Sequence, residues 1–239
     1  MHLVFVTGGS SGIGLALVRA VPFREARVID ISRRGAPGVE HFRADLSDPD
    51  SWPRVAELFE REMKGFADGE VFLVHSAGTL EPIGFAGEVD PSAYTRQVLL
   101  NAAAPQVLGD AFLRAAQGTT APCTFLNIGS GAAHNVYEGW SAYCGGKAGA
   151  DHWVRTVGAE QRRRGANHRV LSIAPGVVAT AMQEAIRATP ERSFPDRERF
   201  QALHDEGVLR DADEVARELW ALLTDGDLEN GAVVDLRDR

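Results

Sequence analysis

The stretch TGGSSGIG, residues 7–14, spans the junction of a short apolar run, HLVFVT (2–7), and an amphipathic run, SGIGLALVRAV (11–21). The first run is typical of a buried strand, and the second has the apolar spacing of a helix. Glycines in such a turn let the backbone approach a pyrophosphate, while the start of the helix supplies N–H donors and a positive dipole end. The stretch therefore predicts a nucleotide site, with a ligand-free glycine turn as the alternative. The residues expected to contact the cofactor here are Gly8, Ser10, Ser11, Gly12, Ile13 and Gly14.

Beyond this turn, short apolar runs alternate with longer amphipathic stretches along the chain. This alternation, with β-branched runs, predicts a parallel sheet covered by helices on both faces. We therefore expect one α/β domain over residues 1–239, a Rossmann-type doubly wound sheet of about seven strands that binds ligands at the carboxyl ends of its strands. The predicted strands are 2–7, 26–32, 40–46, 70–78, 123–131, 168–176 and 231–236, and the predicted helices are 11–21, 51–65, 91–116 with Pro105 as a candidate kink, 141–164 and 212–225.

Composition and charge argue against several classes of function. The chain carries 25 basic and 33 acidic side chains, a net charge of −8, whereas nucleic-acid binding needs a basic surface. No apolar run approaches the roughly 18 residues of a membrane helix, and the first residues do not resemble a signal peptide. Two cysteines, Cys123 and Cys144, fit a reducing compartment, and the histidines lack the paired spacing of a metal site. We expect a soluble cytoplasmic protein that binds no metal, membrane or nucleic acid.

The end of the second predicted strand, VIDISRRG, carries the residues that would choose between NAD and NADP. A carboxylate there binds the ribose 2′-hydroxyl of NAD, whereas an arginine accommodates the 2′-phosphate of NADP. Asp30 is in range for the first role, but we expect it to lie within the strand, before its tip. Arg33 and Arg34 follow at the tip, where a planar guanidinium suits a phosphate and a solvated turn is the alternative. The prediction is NADP(H), with the adenosine end held by Ser32, Arg33, Arg34, Leu46 and Asp45, the last as an acceptor from the adenine amino group.

Tyr143 and Lys147 are four residues apart, so they share one face of the predicted helix. Free tyrosine has a pKa near 10, and a neighbouring ammonium favours the phenolate, so we expect Lys147 to lower the pKa of Tyr143. A lowered pKa would suit Tyr143 to general acid–base catalysis near neutral pH. Ser130 ends a predicted strand thirteen residues earlier, and its hydroxyl can bond a substrate carbonyl oxygen.

The motifs TGGSSGIG, HSAG, NIGSG, YCGGK and PGVVAT, with Asn101 among them, resemble those of the short-chain dehydrogenase/reductase family over essentially the whole chain. The resemblance implies a catalytic set of Asn101, Ser130, Tyr143 and Lys147, with the asparagine holding a water in a proton relay. His75 stands where the family has asparagine, and we interpret it as a hydrogen-bonded strand-end histidine rather than a catalytic one. The further cofactor contacts that the resemblance implies are Ala77, Gly78, Asn101, Tyr143, Lys147, Pro175, Gly176, Val178 and Thr180.

Within that family, stretches such as ISRRG, NIGSGAA and APGVVATAMQ are similar to those of NADPH-dependent reductases that act on one carbonyl of an aromatic 1,2-diketone, as in benzil to (S)-benzoin. The resemblance implies hydride transfer to the carbonyl carbon, with Ser130 holding the oxygen and Tyr143 as general acid. A reductase or dehydrogenase for a pteridine, sugar or steroid alcohol, and a nucleotide-sensing regulator, are the alternatives. The predicted substrate pocket comprises Ser130, Ala132, His134, Val136, Tyr137, Trp140, Tyr143 and Met182, under a flexible lid at 181–209; Trp140 would stack on an aryl group or pack in the core.

Three glycines, Gly145, Gly146 and Gly149, fall within the predicted helix that carries Tyr143 and Lys147. Each glycine inside a helix costs about 0.5–1 kcal/mol relative to alanine, so either the segment is not a helix or something must approach its backbone closely. The family resemblance implies that a partner subunit's copy packs here, and contacts within one chain are the alternative. We therefore expect a homodimer or a homotetramer.

Overall fold

The computed structural model describes residues 1–225 and 227–238. The described strands are β1 (His2–Thr7), β2 (Ala26–Ser32), β3 (Glu40–Arg43), β4 (Val71–His75), β5 (Cys123–Ile128), β6 (His168–Ala174) and β7 (Val233–Asp235). All seven run parallel in one sheet with the order β3-β2-β1-β4-β5-β6-β7, which confirms the predicted doubly wound Rossmann-type fold. The chain crosses to the other half of the sheet between β3 and β4, so the switch point lies between β1 and β4.

Helices cover both faces of the sheet. Among the residues that the structure describes, no helix is both long and apolar enough to cross a membrane. The helices are α1 (Gly12–Arg19), α2 (Trp52–Met63), α3 (Pro91–Val98), α4 (Ala104–Ala115), α5 (Ser141–Arg164), α6 (Ala181–Ala188), α7 (Arg197–Asp205) and α8 (Ala212–Asp225).

Alternate side chains of the strands feed two hydrophobic cores, one on each face of the sheet. On the first face, Phe5 of β1 meets Phe59 of α2 edge-on, with ring centroids 4.9 Å apart. On the second face, Phe72 of β4 meets Trp220 of α8 at 5.5 Å, and the Trp220 indole donates a hydrogen bond to the Leu17 carbonyl of α1. Both cores are fully buried, so they hold the strand ends in fixed positions.

The predicted helix over 91–116 is interrupted by a wider turn. The segment Leu99–Ala103 is π-helical, and the N–H of Ala104 bonds to the carbonyl of Leu99, five residues back. Pro105 has no N–H, so it cannot donate the bond that the Asn101 carbonyl would accept in an α-helix. The helix interruption predicted at Pro105 is therefore found just before it, as a π-turn that contains Asn101.

The segment 181–209, predicted as a lid, contains α6 and α7 and packs beside the carboxyl ends of the strands. Ile186, Phe194 and Phe200 are buried there in a third apolar cluster. Phe194 stacks on Trp140 at the start of α5, with centroids 4.5 Å apart and an interplanar angle of 7°. In this structure, the segment 181–209 thus packs onto the end of the sheet through aromatic contacts, and its role as a lid stays a prediction.

Candidate active site

A cleft of about 1310 Å³ opens along the carboxyl ends of β1, β2, β4, β5 and β6. All the predicted cofactor-binding residues except Asn101 line it, from the glycine turn at 7–14 to the PGVVAT stretch at 175–180. The structure therefore gathers distant parts of the chain at one edge of the sheet, as parallel strands require. The predicted substrate residues that line the same cleft are Ser130, Ala132, Tyr137, Trp140, Tyr143 and Met182.

The glycine turn forms a cradle that side chains would fill. Gly8 has a φ of +71°, and a Cβ atom there would lie 2.9 Å from the Ala77 Cα atom. A Cβ atom on Gly14 would lie 2.3 Å from the Gly8 carbonyl oxygen. Ser11, at the N-cap of α1, makes no side-chain hydrogen bond to the first turn, so the N–H groups there keep their donor capacity. The turn fits a diphosphate at a helix N-terminus.

Asp30 lies inside β2 and is fully buried, as expected from its place before the strand tip. Its Oδ1 atom accepts a hydrogen bond from the Gly9 N–H at 2.9 Å, and its Oδ2 atom accepts one from the Ser32 hydroxyl at 2.7 Å. The chain's own donors therefore occupy this carboxylate. Arg33 and Arg34 are exposed at the cleft and form no ion pair among residues 1–225 and 227–238. The tip of β2 thus presents free cations rather than a free carboxylate.

Tyr143 and Lys147 lie one turn apart on α5, and both are more than nine-tenths buried. The Lys147 Nζ atom donates to the Ile128 carbonyl at 2.8 Å and lies 5.8 Å from the centroid of the Tyr143 ring. The Ser130 hydroxyl oxygen accepts a hydrogen bond from the Ala132 N–H at 3.1 Å, which orients the hydroxyl. Three groups suited to proton transfer and carbonyl binding therefore meet where β5 ends.

Burial shifts the two titratable groups of this set in opposite directions. It lowers the pKa of Lys147 to about 8, against the opposing effect of the Asp151 carboxylate. It raises the pKa of Tyr143, although a hydrogen bond with Ser130 acts against the rise. The expectation that Lys147 lowers the pKa of Tyr143 is wrong for this structure, because the loss of hydration dominates. The phenol therefore keeps its proton at neutral pH, which is the state that a general acid requires.

Asn101 does not line the cleft, because its side chain is engaged by the loop after β4. Its Oδ1 atom accepts from the Thr79 N–H at 3.0 Å, and its Nδ2 atom donates to the Thr79 carbonyl at 2.7 Å. A Cβ atom on Gly78 would lie 3.1 Å from Asn101 Oδ1 and 3.9 Å from Lys147 Nζ. Asn101 thus stands close behind the site, and its side chain fixes the loop that separates it from the cleft.

His75, the departure from the family motif, is fully buried at the end of β4. Its Nδ1 atom lies 3.2 Å from the Thr7 hydroxyl, which also accepts the N–H groups of Ser76 and Ala77. With both N–H groups accepted, the Thr7 proton is the donor to Nδ1, so the His75 proton sits on Nε2, which has no partner in the described residues. Burial, with the Lys147 charge, lowers the pKa of His75 to about 3. The ring is a neutral strand-end group, hydrogen-bonded through one nitrogen.

Two residues predicted for the substrate pocket lie elsewhere. Val136 is 92% exposed and does not line the cleft. His134 lies at a second cavity of about 370 Å³, where its Nε2 atom is 3.4 Å from Asp151 Oδ2. Both lie in the loop after β5, which lines the cleft at Ala132, Asn135 and Tyr137 and presents His134 and Val136 elsewhere. Trp140 lines the cleft and packs one face on Phe194, so its core role is observed and stacking on an aryl group stays a prediction.

A network of buried hydrogen bonds lies next to the strand that leads to Ser130. The Asp151 Oδ1 atom accepts from the Ser172 hydroxyl at 2.6 Å, and the Ser172 oxygen accepts from Asn127 Nδ2 at 3.0 Å. Asp151 is 2% exposed, and burial raises its pKa. This hydrogen-bond network links α5 to β5 and β6 one turn beyond Lys147, so it fixes the helix relative to the strand ends.

Sequence reasoning missed several residues that line the cleft. Gln183 of α6 and Arg199 of α7 enter from the lid segment, whose packing no motif describes. Arg237 enters from the turn after β7. The signal that could have found Arg237 is positional, because in a parallel sheet the end of every strand points to the ligand edge.

A parallel sheet with a glycine cradle and a Ser–Tyr–Lys group at its carboxyl edge defines an oxidoreductase of the nicotinamide-dependent, Rossmann type. The chain belongs to the short chain dehydrogenase family, whose model matches residues 2–191. The family uses NAD or NADP, and the predicted family resemblance is confirmed.

The chain is similar to known members along its full length. It is 34% identical to a benzil reductase ((S)-benzoin forming) from Bacillus subtilis, an alignment that covers 100% of this chain and 99% of that protein. It is 28% identical to the sepiapterin reductase of Bos taurus, over 99% of this chain and 94% of that one. The solved structure of the KRED1-Pglu enzyme superposes with a TM-score of 0.81 at 27% identity, over 98% of this chain and 100% of that chain.

Proposed function

We propose that the chain is an NADPH-dependent carbonyl reductase that transfers a hydride to one carbonyl of an aromatic 1,2-diketone, as in benzil to (S)-benzoin. The observation that carries the proposal is the group of Ser130 with the buried Tyr143 and Lys147 in a cleft whose far end presents Arg33 and Arg34. The full-length similarity to a benzil reductase supports the substrate class.

The residues of the cleft suit an NADPH molecule laid along the strand ends. The turn at 7–14 would hold the diphosphate, and Arg33 with Arg34 would hold the 2′-phosphate. The backbone of Val178 and the side chain of Thr180 would hold the nicotinamide carboxamide, as the family resemblance implies. When bound, the cofactor supplies the hydride.

The chain's own groups handle the carbonyl oxygen and the proton. Ser130 would donate a hydrogen bond to the oxygen that gains negative charge, which stabilises the transition state. Tyr143 would give its phenolic proton to that oxygen, and its raised pKa keeps the proton available. Lys147 would stabilise the phenolate that remains and, with Asn101 behind it, return a proton from solvent.

A sepiapterin-like reductase is the second candidate function, and the similarity to the bovine enzyme favours it. A non-catalytic NADP sensor is the candidate from another class. The sensor would bind NADPH without oxidising it, whereas a pteridine reductase would turn over sepiapterin faster than benzil. The choice of substrate therefore separates the three functions in one assay.

The test is NADPH oxidation with benzil, with the product identified by chiral chromatography. We expect turnover to (S)-benzoin, and we expect Tyr143→Phe to lower kcat by at least about 10²-fold because the acid is lost. Tyr94→Phe is the matched control, since the Tyr94 hydroxyl is exposed and lies 3.2 Å from Ser141 Oγ, outside the cleft. NADPH binding without turnover of any carbonyl would instead support the sensor.

The cofactor choice has its own test. We expect Arg33→Ala to weaken NADPH binding by roughly 10- to 100-fold and to leave NADH binding nearly unchanged, because only NADPH carries the 2′-phosphate. Arg24→Ala is the control, since Arg24 is an exposed arginine at the opposite end of β2. A preference of the unmodified chain for NADH would contradict the NADPH proposal.

We also infer that the chain is a cytoplasmic homodimer or homotetramer. Among the described residues, both cysteines are free thiols, which fits a reducing compartment. On α5, no described atom outside the helix's own neighbouring backbone lies within 4 Å of where a Gly145 Cβ would be, and Val107 of the adjacent α4 is 42% exposed. A partner surface against α4 and α5 would cover both positions.

A further inference from the structure

We propose that Arg237 is a specificity-determining residue that donates a hydrogen bond to a second oxygen beside the reacting carbonyl. The cleft would then favour 1,2-dicarbonyl substrates over simple ketones of the same shape. This inference rests on the proposed carbonyl reductase function and names the chemical feature that the site reads.

Arg237 reaches the cleft from the 3₁₀ turn Leu236–Asp238, directly after β7. Its stem lies against Gly176, because a Cβ atom there would be 3.2 Å from the Arg237 Cδ atom. Its guanidinium lies beside Gly131, where a Cβ atom would be 3.8 Å from Arg237 Nη2. Gly131 directly follows Ser130, so the cation lies beside the backbone of the loop that carries the hydroxyl proposed to hold the reacting oxygen.

Asp235 fixes the direction of this guanidinium. Asp235 Oδ1 accepts from Arg237 Nε at 2.9 Å, and Asp235 Oδ2 accepts from Nη2 at 2.6 Å. The Arg237 backbone N–H also donates to Asp235 Oδ1, at 2.9 Å. A two-pronged pair of this kind sets the plane of the guanidinium, so little conformational entropy remains to be lost on binding a ligand.

The pair leaves donors of Arg237 for the cleft. A guanidinium carries five N–H groups, and Asp235 takes one from Nε and one from Nη2. Among residues 1–225 and 227–238, no other acceptor bonds the Arg237 side chain. Arg237 lines the cleft and Asp235 lines the second cavity, and the proposal requires the unused donors to face the cleft side of the pair.

A 1,2-dicarbonyl is the neutral substrate that matches these donors. With one oxygen on Ser130, the second oxygen sits on the adjacent carbon, close enough for a neighbouring guanidinium to reach. A monoketone offers no acceptor there, and a site with positioned donors disfavours an analogue that cannot use them. The Arg237 side chain is 55% exposed, so water can satisfy it and the discrimination is modest, about 10-fold rather than 10⁴-fold.

The experiment compares benzil with deoxybenzoin, its monoketone counterpart, in the unmodified chain and in Arg237→Met. We expect the variant to lose about 10-fold in kcat/KM for benzil and less than about 2-fold for deoxybenzoin. Because the ratio between substrates is compared across variants, the intrinsic reactivity of the diketone cancels. Arg237→Lys, which keeps a cation but not the two-pronged pair, should lie between the two.

Arg199→Met is the matched control, since Arg199 also lines the cleft, over the Tyr137 ring at 5.8 Å. Its loss should change both substrates alike. Equal losses for benzil and deoxybenzoin in Arg237→Met would overturn the inference and leave the proposed function standing. No benzil turnover by the unmodified, folded chain would overturn the proposed function and this inference with it.

Discussion

Lys147 carries its charge only over a limited range of pH. Burial lowers its pKa to about 8, and the Asp151 carboxylate, one helical turn away, is the group that acts in the opposite direction. Its positive charge is therefore complete below about pH 7 and is lost as the pH rises through the lowered pKa. Tyr143 keeps its proton over the same range, since its pKa is raised. The ammonium thus limits proton transfer at alkaline pH.

We predict that kcat/KM for benzil falls as the pH rises through about 8, because neutral Lys147 cannot stabilise the phenolate. Asp151→Asn should move this fall to lower pH, since it removes the charge that raises the pKa of Lys147. The measurement is a pH–rate profile of both proteins. Its midpoint, rather than the rate, is the readout, because the substitution also weakens the Ser172 hydrogen bond.

Asp110→Asn is the control for this profile, since Asp110 is an exposed carboxylate on α4 paired with Arg114. It should leave the midpoint in place. The groups that face Asp151 are Lys147, Ser172, His134 and Arg155. If the midpoint of the Asp151→Asn profile moved to higher pH, a group other than Lys147 would control that midpoint.

At the scale of elements, the glycines of α5 serve two kinds of contact. Gly146 faces the chain's own π-turn, where its Cβ atom would lie 3.0 Å from Asn101 Cβ. Gly158 meets the loop before β7, where its Cβ atom would lie 2.2 Å from Gly231 Cα. Among residues 1–225 and 227–238, a Cβ atom on Gly145 would meet nothing within 4 Å apart from the adjoining backbone of α5 itself. Contacts within one chain therefore explain part of the glycine pattern, and the proposed partner would explain the outward position, Gly145.

Gly158→Ala tests the intramolecular contact. Helix propensity alone would make alanine more stable by up to about 1 kcal/mol, but backbone at 2.2 Å cannot yield, so we predict a net loss of about 1–3 kcal/mol. Urea denaturation measures the difference. Ala159→Gly, an exposed position on the same helix, should lose only about 0.5–1 kcal/mol. A stabilised Gly158→Ala protein would contradict the close packing of α5 on this loop.

Most elements could be predicted because their signals are local. The strand β1 and the turn after it are read directly from HLVFVT and TGGSSGIG. The π-turn at Leu99–Ala103 could not be predicted, because it depends on whether each N–H bonds to the carbonyl four or five residues back. Pro105 removes one donor but does not decide between these two patterns. The closed packing of Phe194 on Trp140 also lies beyond the sequence, because a polar segment with a few apolar residues does not reveal what it covers.

At the scale of the whole molecule, the rule that ligands bind at strand ends placed most of the candidate site. It predicted that Arg33, Ser130 and Thr180, from distant parts of the chain, lie together, and all three line one cleft. Where the loop after a strand turns away, the rule fails, as at Val136. The same rule holds for the last strand, because the turn after β7 places Arg237 at the cleft.

Self-association is the prediction that belongs to the whole molecule. We expect a solution mass two or four times the 25.8 kDa of the chain, measured by light scattering at several concentrations. Gly145→Glu should lower that mass, because a partner packed on α5 leaves no room for the side chain and would bury its charge. The isolated fold has space for the same side chain, since no atom lies within 4 Å of the Cβ position.

The control for this prediction is Val208→Glu, at a 51% exposed position between α7 and α8. It adds the same charge without touching α4 or α5, so its mass should equal that of the unmodified chain. Glutamate is a better helix former than glycine, so Gly145→Glu should also keep or raise the thermal stability of the released monomer. A monomeric unmodified chain, or an oligomer that tolerates Gly145→Glu, would show that the outward glycines serve no partner. Their helix cost would then stand without a contact to offset it.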